Sequence, residues 1–350
     1  MTVRRGVAAA GLLLVTACTG TDEGAGPDAS SGPSSSATSS AAASSGTPPS
    51  TATPTPEPTP PPAEGPADLS RWFDAAFTGG DLQLGEVREQ TSAYTSYDAS
   101  YRSEGLLITG VLNVPAGEGP FPAVVLAHGY IDPAAYEQGQ GMTRERGVLA
   151  TDGFVAFHVD YRGHAGSDDD PALVETQRFG YAVDVLNAAT ALRETDLVAV
   201  DDERVAAFGR SMGGGAVLEA LEMAPGHLDA GVLYASVSSN AADNFVQFND
   251  GGGFWEQLVD LAGTPEENPG YYAAASTRTY VDRVTEPVLV VHGSADDTCP
   301  LPWAEATHAA LQGAGVDATL DVYDGEGHAF GPQFPASMEA ISAFLGEKLG

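Results

Sequence analysis

Seven short apolar runs, each closed by turn residues and separated by helix-like stretches, set the architecture open to this chain. They are Leu106–Val114, Ala123–Ala127, Val155–Val159, Val205–Phe208, Gly231–Tyr234, Val288–Val291 and Ala318–Tyr323. The central runs are continuous rather than alternating, the pattern of strands buried on both faces. The stretches 174–194, 212–224, 303–313 and 336–349 read as helices between them. In the first, Phe179, Ala182, Val183, Leu186 and Ala189 recur at helical spacing. Such alternation predicts an α/β protein with a mostly parallel central sheet flanked by helices. Residues 68–105 are expected to add a helix around Trp72 and antiparallel edge strands. Residues 240–285 break the rhythm as an insertion carrying Phe245, Phe248, Phe254, Trp255, Tyr271 and Tyr272. Two readings stand side by side: a lid lining a pocket, or a satellite core under a long loop.

The first 66 residues do not share this pattern. Arg4 and Arg5 precede an apolar run from Gly6 to Val15, the length of a signal-peptide core and too short to span a membrane. The run ends Val15-Thr16-Ala17-Cys18. Residues 1–18 therefore resemble a bacterial lipoprotein signal in which Cys18 takes lipid; plain secretion is the alternative. Residues 19–66 hold no Val, Ile, Leu, Met, Phe, Tyr or Trp, and apart from five acidic residues consist of Ser, Thr, Pro, Gly and Ala. Without large apolar side chains such a segment cannot offset its ordering entropy, so a disordered linker is expected. Residues 67–350 form the expected catalytic domain. The predicted location is outside the cytoplasm, on the cell membrane through the lipid anchor.

Charge narrows the partners. Fifteen basic residues against 48 acidic ones give a net charge of −33. A phosphate backbone needs a basic stripe, so no nucleic acid is expected as partner. The same charge should repel anionic substrates, although screening over about 8 Å at physiological salt confines that to the mouth of a site. The expected partner is a small peptide or ester, and the expected state a monomer. Two cysteines, Cys18 and Cys299, exclude a disulfide scaffold.

The chemistry gathers at strand ends. Gly209-Arg210-Ser211-Met212-Gly213 follows the run Val205–Phe208 and opens a helix. A sharp strand-to-helix turn needs small residues around the nucleophile, and it lifts a serine hydroxyl above the sheet edge. A hydroxyl needs a base to attack. Two later runs lead into His292-Gly293-Ser294-Ala295-Asp296-Asp297 and Gly325-Glu326-Gly327-His328. Ser211, Asp296 and His328 thus form a candidate triad in the chain order serine, acid, histidine. Asp297 is the competing acid. The oxyanion donors are expected to be the backbone N–H groups of Met212 and of Tyr130, in the loop His128-Gly129-Tyr130.

The other polar residues read as structural. His128 is expected to be a hydrogen-bonder, His158 a satisfied core histidine, and Asp160 and Arg162 braces beneath the site. Cys299 reads as a free buried thiol. With no His-Glu-x-x-His, Cys-x-x-Cys or strand-linked Gly-x-Gly-x-x-Gly, neither a metal nor a cofactor is expected.

Residues 100–350 resemble the α/β-hydrolase fold, specifically the catalytic domain of the prolyl oligopeptidase family. The resemblance rests on Gly209-Arg-Ser-Met-Gly-Gly214, His292-Gly-x-x-Asp296-x-x-Cys-Pro300, Gly325-Glu-Gly-His328-x-Phe330 and Asp160-Tyr-Arg-Gly163. It implies a serine hydrolase with Ser211 as nucleophile, Asp296 as acid and His328 as base. Family peptidases commonly carry a glycine and a proline after His-Gly, where this chain has Tyr130 and Ile131; that departure resembles acyl esterases on the same fold. Peptide hydrolysis through an acyl-enzyme is the favoured activity. A carboxylesterase and a non-catalytic binding module are the alternatives, although a binding module has no need of all three triad residues.

Overall fold

A computed structural model describes residues 65–350 apart from 66, 74 and 198. The expected signal peptide, Cys18 and the linker lie outside the described residues, save for the linker's Gly65. Among the described residues nine strands form one sheet. They are β1 (Gly80–Gln90), β2 (Tyr94–Ser103), β3 (Leu106–Pro115), β4 (Phe121–Ala127), β5 (Val155–Val159), β6 (Val200–Arg210), β7 (Gly231–Tyr234), β8 (Val288–Gly293) and β9 (Ala318–Tyr323). The order is β1-β2-β3-β5-β4-β6-β7-β8-β9. The pairs from β1 to β5 are antiparallel, and those from β5 through β4 to β9 are parallel. This is an α/β-hydrolase sheet with the expected antiparallel edge.

The continuous runs feed two cores. Successive side chains of a strand point to opposite faces. In β4, Val124 and Leu126 pack with Leu149 of α1 (Thr143–Thr151) and with Met338, Ile341 and Leu345 of α8 (Phe334–Leu349). Its alternate residues Ala123, Val125 and Ala127 face Leu186 of α2 (Gly180–Arg193) and Val217 of α3 (Met212–Met223). Helix α7 (Leu301–Gly313) lies on that second face through Ala304 and Leu311.

Three local readings change. Helix α2 starts at Gly180 rather than 174, because Gln177 (φ 49°) and Arg178 (φ 68°) are left-handed and cannot continue a helical turn. Such positions cost about 1–3 kcal/mol each for residues with a Cβ. The segment around Trp72 is a single 3-10 turn, Leu69–Trp72, whose first amide at Ser70 is capped by Asp68 at 2.9 Å. The insertion forms α4 (Ala241–Phe248), α5 (Gly253–Ala262) and α6 (Pro269–Ala274). Its Phe245, Leu258, Tyr271 and Tyr272 join the main core, so it is no separate satellite.

Candidate active site

Parallel register brings the strand ends to one edge. Ala127 of β4 pairs with Gly209 of β6, Arg210 with Tyr234 of β7, Tyr234 with Val291 of β8, and Gly293 with Tyr323 of β9. The loops that follow these residues therefore meet. Ser211 sits at the turn from β6 into α3 with φ 56° and ψ −121°. Its strained backbone is held by its own N–H, which donates to the Tyr234 carbonyl at 3.0 Å, and by its carbonyl, which accepts from Gly214 at 2.9 Å. The glycines are steric necessities: a Cβ on Gly209 would overlap the Gly213 carbonyl, and one on Gly213 would overlap that of Ala127.

A hydrogen-bonded relay starts at this serine. His328 Nε2 lies 3.0 Å from Ser211 Oγ, and His328 Nδ1 lies 2.9 Å from Asp296 Oδ2. Because Nδ1 donates to the carboxylate, Nε2 is left to accept from the hydroxyl. The Asp296 side chain is 0% exposed and that of His328 20%. Asp296 Oδ1 accepts the amides of Thr298 and Cys299, each at 2.9 Å. Burial alone would raise the Asp296 carboxyl; the bonds from His328 and Cys299 outweigh it and hold the group below the usual carboxylate range. Asp297 is exposed, and it is the Asp296 carboxylate that meets His328.

A pocket of about 640 Å³ opens over the serine. Ser211, Met212 and His328 form one part of its wall, and Phe248, Phe254 and Trp255 of the insertion another. Of the six insertion aromatics, Phe245, Tyr271 and Tyr272 are buried in the core, while Phe248, Phe254 and Trp255 line the pocket, the last two also packing against that core.

Residues 141–350 match the Prolyl oligopeptidase family. The chain belongs to the prolyl oligopeptidase family. It is 28% identical over 204 residues to the uncharacterized peptidase YtmA of Bacillus subtilis (strain 168), spanning 57% of this chain and 73% of that protein. Identity to dipeptidyl peptidase 4 of Sus scrofa is 27% over 183 residues, 52% of this chain but 23% of that one. The fold is also that of acetyl xylan esterase 1 from Thermoanaerobacterium sp. JW/SL YS485, with a TM-score of 0.62 at 20% identity over 82% of this chain and 95% of that one. Pyrococcus horikoshii acylaminoacyl peptidase gives a TM-score of 0.61 at 22% identity, over 74% of this chain and 42% of that one. This member of the prolyl oligopeptidase family is a serine hydrolase.

The remaining residues of this family member fall into place around the relay. A Cβ on Gly129 would lie 3.0 Å from Ser211 Cβ and 3.5 Å from its Oγ, so the loop after β4 runs directly against the serine. Met212 heads α3, and the first N–H groups of a helix lack intrahelical partners. Tyr130 lines the pocket with 60% of its surface exposed. His128 is buried; Nδ1 lies 2.7 Å from the Gly129 carbonyl and Nε2 3.3 Å from that of Asp160. Burial pulls it down to about 4, so it stays neutral and structural. Asp160 accepts from Thr109 and Tyr136 and from the Gly139 amide, and Arg162 pairs with Asp184, Asp170 and Glu104. His158 departs from expectation: Nδ1 meets Arg146 at 3.0 Å, but its buried Nε2 has no hydrogen-bond partner among the described residues. Cys299 is a free buried thiol, which burial pushes up to about 12.

Two supporting residues escape a reading of the sequence. His292 Nε2 donates to the Cys299 carbonyl at 2.7 Å and lies 3.4 Å from Asp296 Oδ2. Glu326 is buried; its carboxylate accepts the amides of Gly331 and Gln333, both at 2.6 Å. It folds the segment around His328 into a closed loop. Each lies within a quoted motif and bonds within its own loop, His292 to Cys299 and Glu326 to Gly331 and Gln333, through a fold-back of the turn that apolar patterning does not mark.

Proposed function

We propose that Ser211 is the nucleophile of this hydrolase, with His328 as its base, Asp296 as the group that orients the base, and the backbone N–H groups of Met212 and Tyr130 as the oxyanion donors. The continuous relay from Ser211 through His328 to Asp296 carries this reading. In acylation the Ser211 hydroxyl gives its proton to His328 Nε2 as Oγ bonds to the carbonyl carbon. The carbonyl oxygen takes the negative charge and meets the two N–H groups at the head of α3 and in the loop after β4. The same proton then passes from His328 to the leaving group, whose bond to the carbonyl carbon breaks. Water repeats the sequence on the acyl-enzyme and frees the acid and Ser211. Asp296 remains ionised and stabilises the imidazolium.

Peptide bonds of short substrates are the favoured target, in keeping with family membership; ester hydrolysis is the second reading, supported by Tyr130 and Ile131 after His128-Gly129. The 640 Å³ pocket suits a small substrate. We further propose that Cys18 is lipidated and holds the enzyme, as a monomer, outside the cytoplasmic membrane. The catalytic reading is tested with a serine-reactive phosphonate, followed by paired chromogenic peptides and esters. Labelling is expected on Ser211 alone, with turnover of short peptides exceeding that of matched esters relative to their solution reactivity. Labelling elsewhere would remove Ser211 as nucleophile. Ester turnover without peptide cleavage would give the activity to the second reading.

A further inference from the structure

We propose that Arg178 is a specificity-determining residue, and that the pocket over Ser211 takes substrates bearing a carboxylate which pairs with its guanidinium. This rests on Ser211 being the nucleophile, since the same pocket must present the scissile bond to it. Arg178 and Ser211 line one cavity. Among the described residues no carboxylate pairs with Arg178, whereas the buried Arg162 has three such partners. The Arg178 guanidinium instead lies 3.7 Å from the ring centroid of Phe254, 5.2 Å from that of Tyr130 and 6.0 Å from that of Trp255. Aromatic faces hold an arginine in place through cation–π attraction without using its N–H donors. The fork is thereby oriented but left free for a bidentate anion.

The backbone agrees. Arg178 and its neighbour Gln177 both line the pocket, and both are left-handed with a Cβ. Strain of this kind persists where a side chain must be aimed. The acidic residues of the pocket leave the arginine available. Glu219 also lines the wall, but burial pushes its carboxyl up to about 8, so it is protonated at neutral pH. Asp250 is exposed, and its carboxylate caps the Gly252 amide at 3.1 Å. The net charge of −33 acts against anions at the mouth, but screening cuts that field within about 8 Å, whereas a desolvated guanidinium acts at contact. The expectation that anionic substrates are disfavoured is therefore reversed for those that reach the pocket.

The carboxylate could sit on the acyl part or on the leaving group, and two substrate pairs separate these. One compares the 4-nitrophenyl half-ester of succinate with 4-nitrophenyl butyrate. The other compares the butyryl ester of 4-hydroxybenzoate with that of its methyl ester. Each gives a ratio of kcat/KM, charged over neutral, after correction for solution reactivity. In at least one pair the wild-type ratio should exceed one, carried by a lower KM. In Arg178→Gln that ratio should fall about tenfold to a hundredfold, the loss of a charge-assisted pair. Arg178→Lys should restore it in part. A ratio unchanged in Arg178→Gln, including one where both rates drop together, overturns the proposal, as does a ratio of one or less in both wild-type pairs. Ser211→Ala tests the underlying reading separately: full turnover there removes the nucleophile assignment while the Arg178 ratio stays readable.

Discussion

The backbone amide of Ala295 donates to the carbonyl of Glu326 at 2.9 Å, tying the loop that carries Asp296 to the loop that carries His328. Gly293 makes this approach possible, because a Cβ there would overlap the same Glu326 carbonyl. Asp296 and His328 are thus positioned against each other by main chain, and Glu326 closes the second loop with its side chain. Replacing Glu326 with Gln turns one of two buried acceptors into a donor facing an N–H. An unsatisfied buried group costs about 1–3 kcal/mol. Glu326→Gln should lower the thermal midpoint and also lower kcat more than it raises KM, because His328 loses its support. Unchanged kcat with full stability would show that Glu326 is dispensable to the loop.

Ser211→Ala should abolish turnover by about a millionfold while the fold persists, since removing a triad nucleophile has an effect of that order. Steady-state kinetics with a parallel circular dichroism spectrum checks it. Wild-type rates in the variant would move the chemistry to another residue.

Asp296→Asn should cost about 10⁴ in kcat by upsetting the tautomer of His328, and Asp297→Asn far less. The pH dependence of stability carries a further sign. Asp296 is held below its unfolded value of about 3.9, so its contribution is fully present above that pH. It is lost as pH falls through the lower, folded-state value. The difference in urea midpoint between wild type and Asp296→Asn should be flat from neutral pH to about 4 and shrink below it. A difference that vanishes already at pH 6 contradicts the direction of this shift.

Glu219 predicts the opposite slope. Burial raises its carboxyl to about 8, so between about 4.3 and 8 the unfolded chain is ionised there and the folded one is not. The wild type should lose stability relative to Glu219→Gln across that interval, and the gap should level off above it. Urea titrations at pH 5, 7 and 9 read this directly. A gap that stays constant over all three pH values would leave the carboxyl unshifted.

Cells expressing Cys18→Ser should release the protein from the membrane fraction, whereas the wild type stays bound. Stable anchoring takes two lipid signals, which a diacylglyceryl group with an amide-linked chain supplies. Membrane association that survives the substitution sinks the lipoprotein proposal.

Much of the site was legible because strand runs and the loops after them occur in sequence together. Ser211 follows a continuous run that reads as buried, His328 follows a half-exposed edge run, and the parallel sheet gathers both ends. The choice of Asp296 over Asp297 came from the family resemblance; the reason is visible only in the turn, where the Thr298 and Cys299 amides fold back onto one carboxylate. Arg178 was hidden for a different cause. Extending the helical spacing that begins at Phe179 back to 174 makes the stretch read as helix, while two left-handed residues break it. Helix α1 went unread because Thr143–Thr151 has little apolar period: its buried residues are Glu145, Arg146, Leu149 and Ala150.

The strand order also bears on where an independently folding unit begins. The family match starts at residue 141, downstream of four strands. Yet β4 lies between β5 and β6, and no other strand fills that place. Upstream residues also satisfy buried groups downstream: Ser103 donates to Asp184 at 2.7 Å, and Thr109 to Asp160 at 2.7 Å. A chain truncated at 141 would leave a gap in the middle of its sheet and would strip the buried Asp160 carboxylate of its donors Thr109, Tyr136 and Gly139, while Asp184 would keep Arg162. The matched region taken alone thus lacks a central strand of the sheet to which its other strands belong.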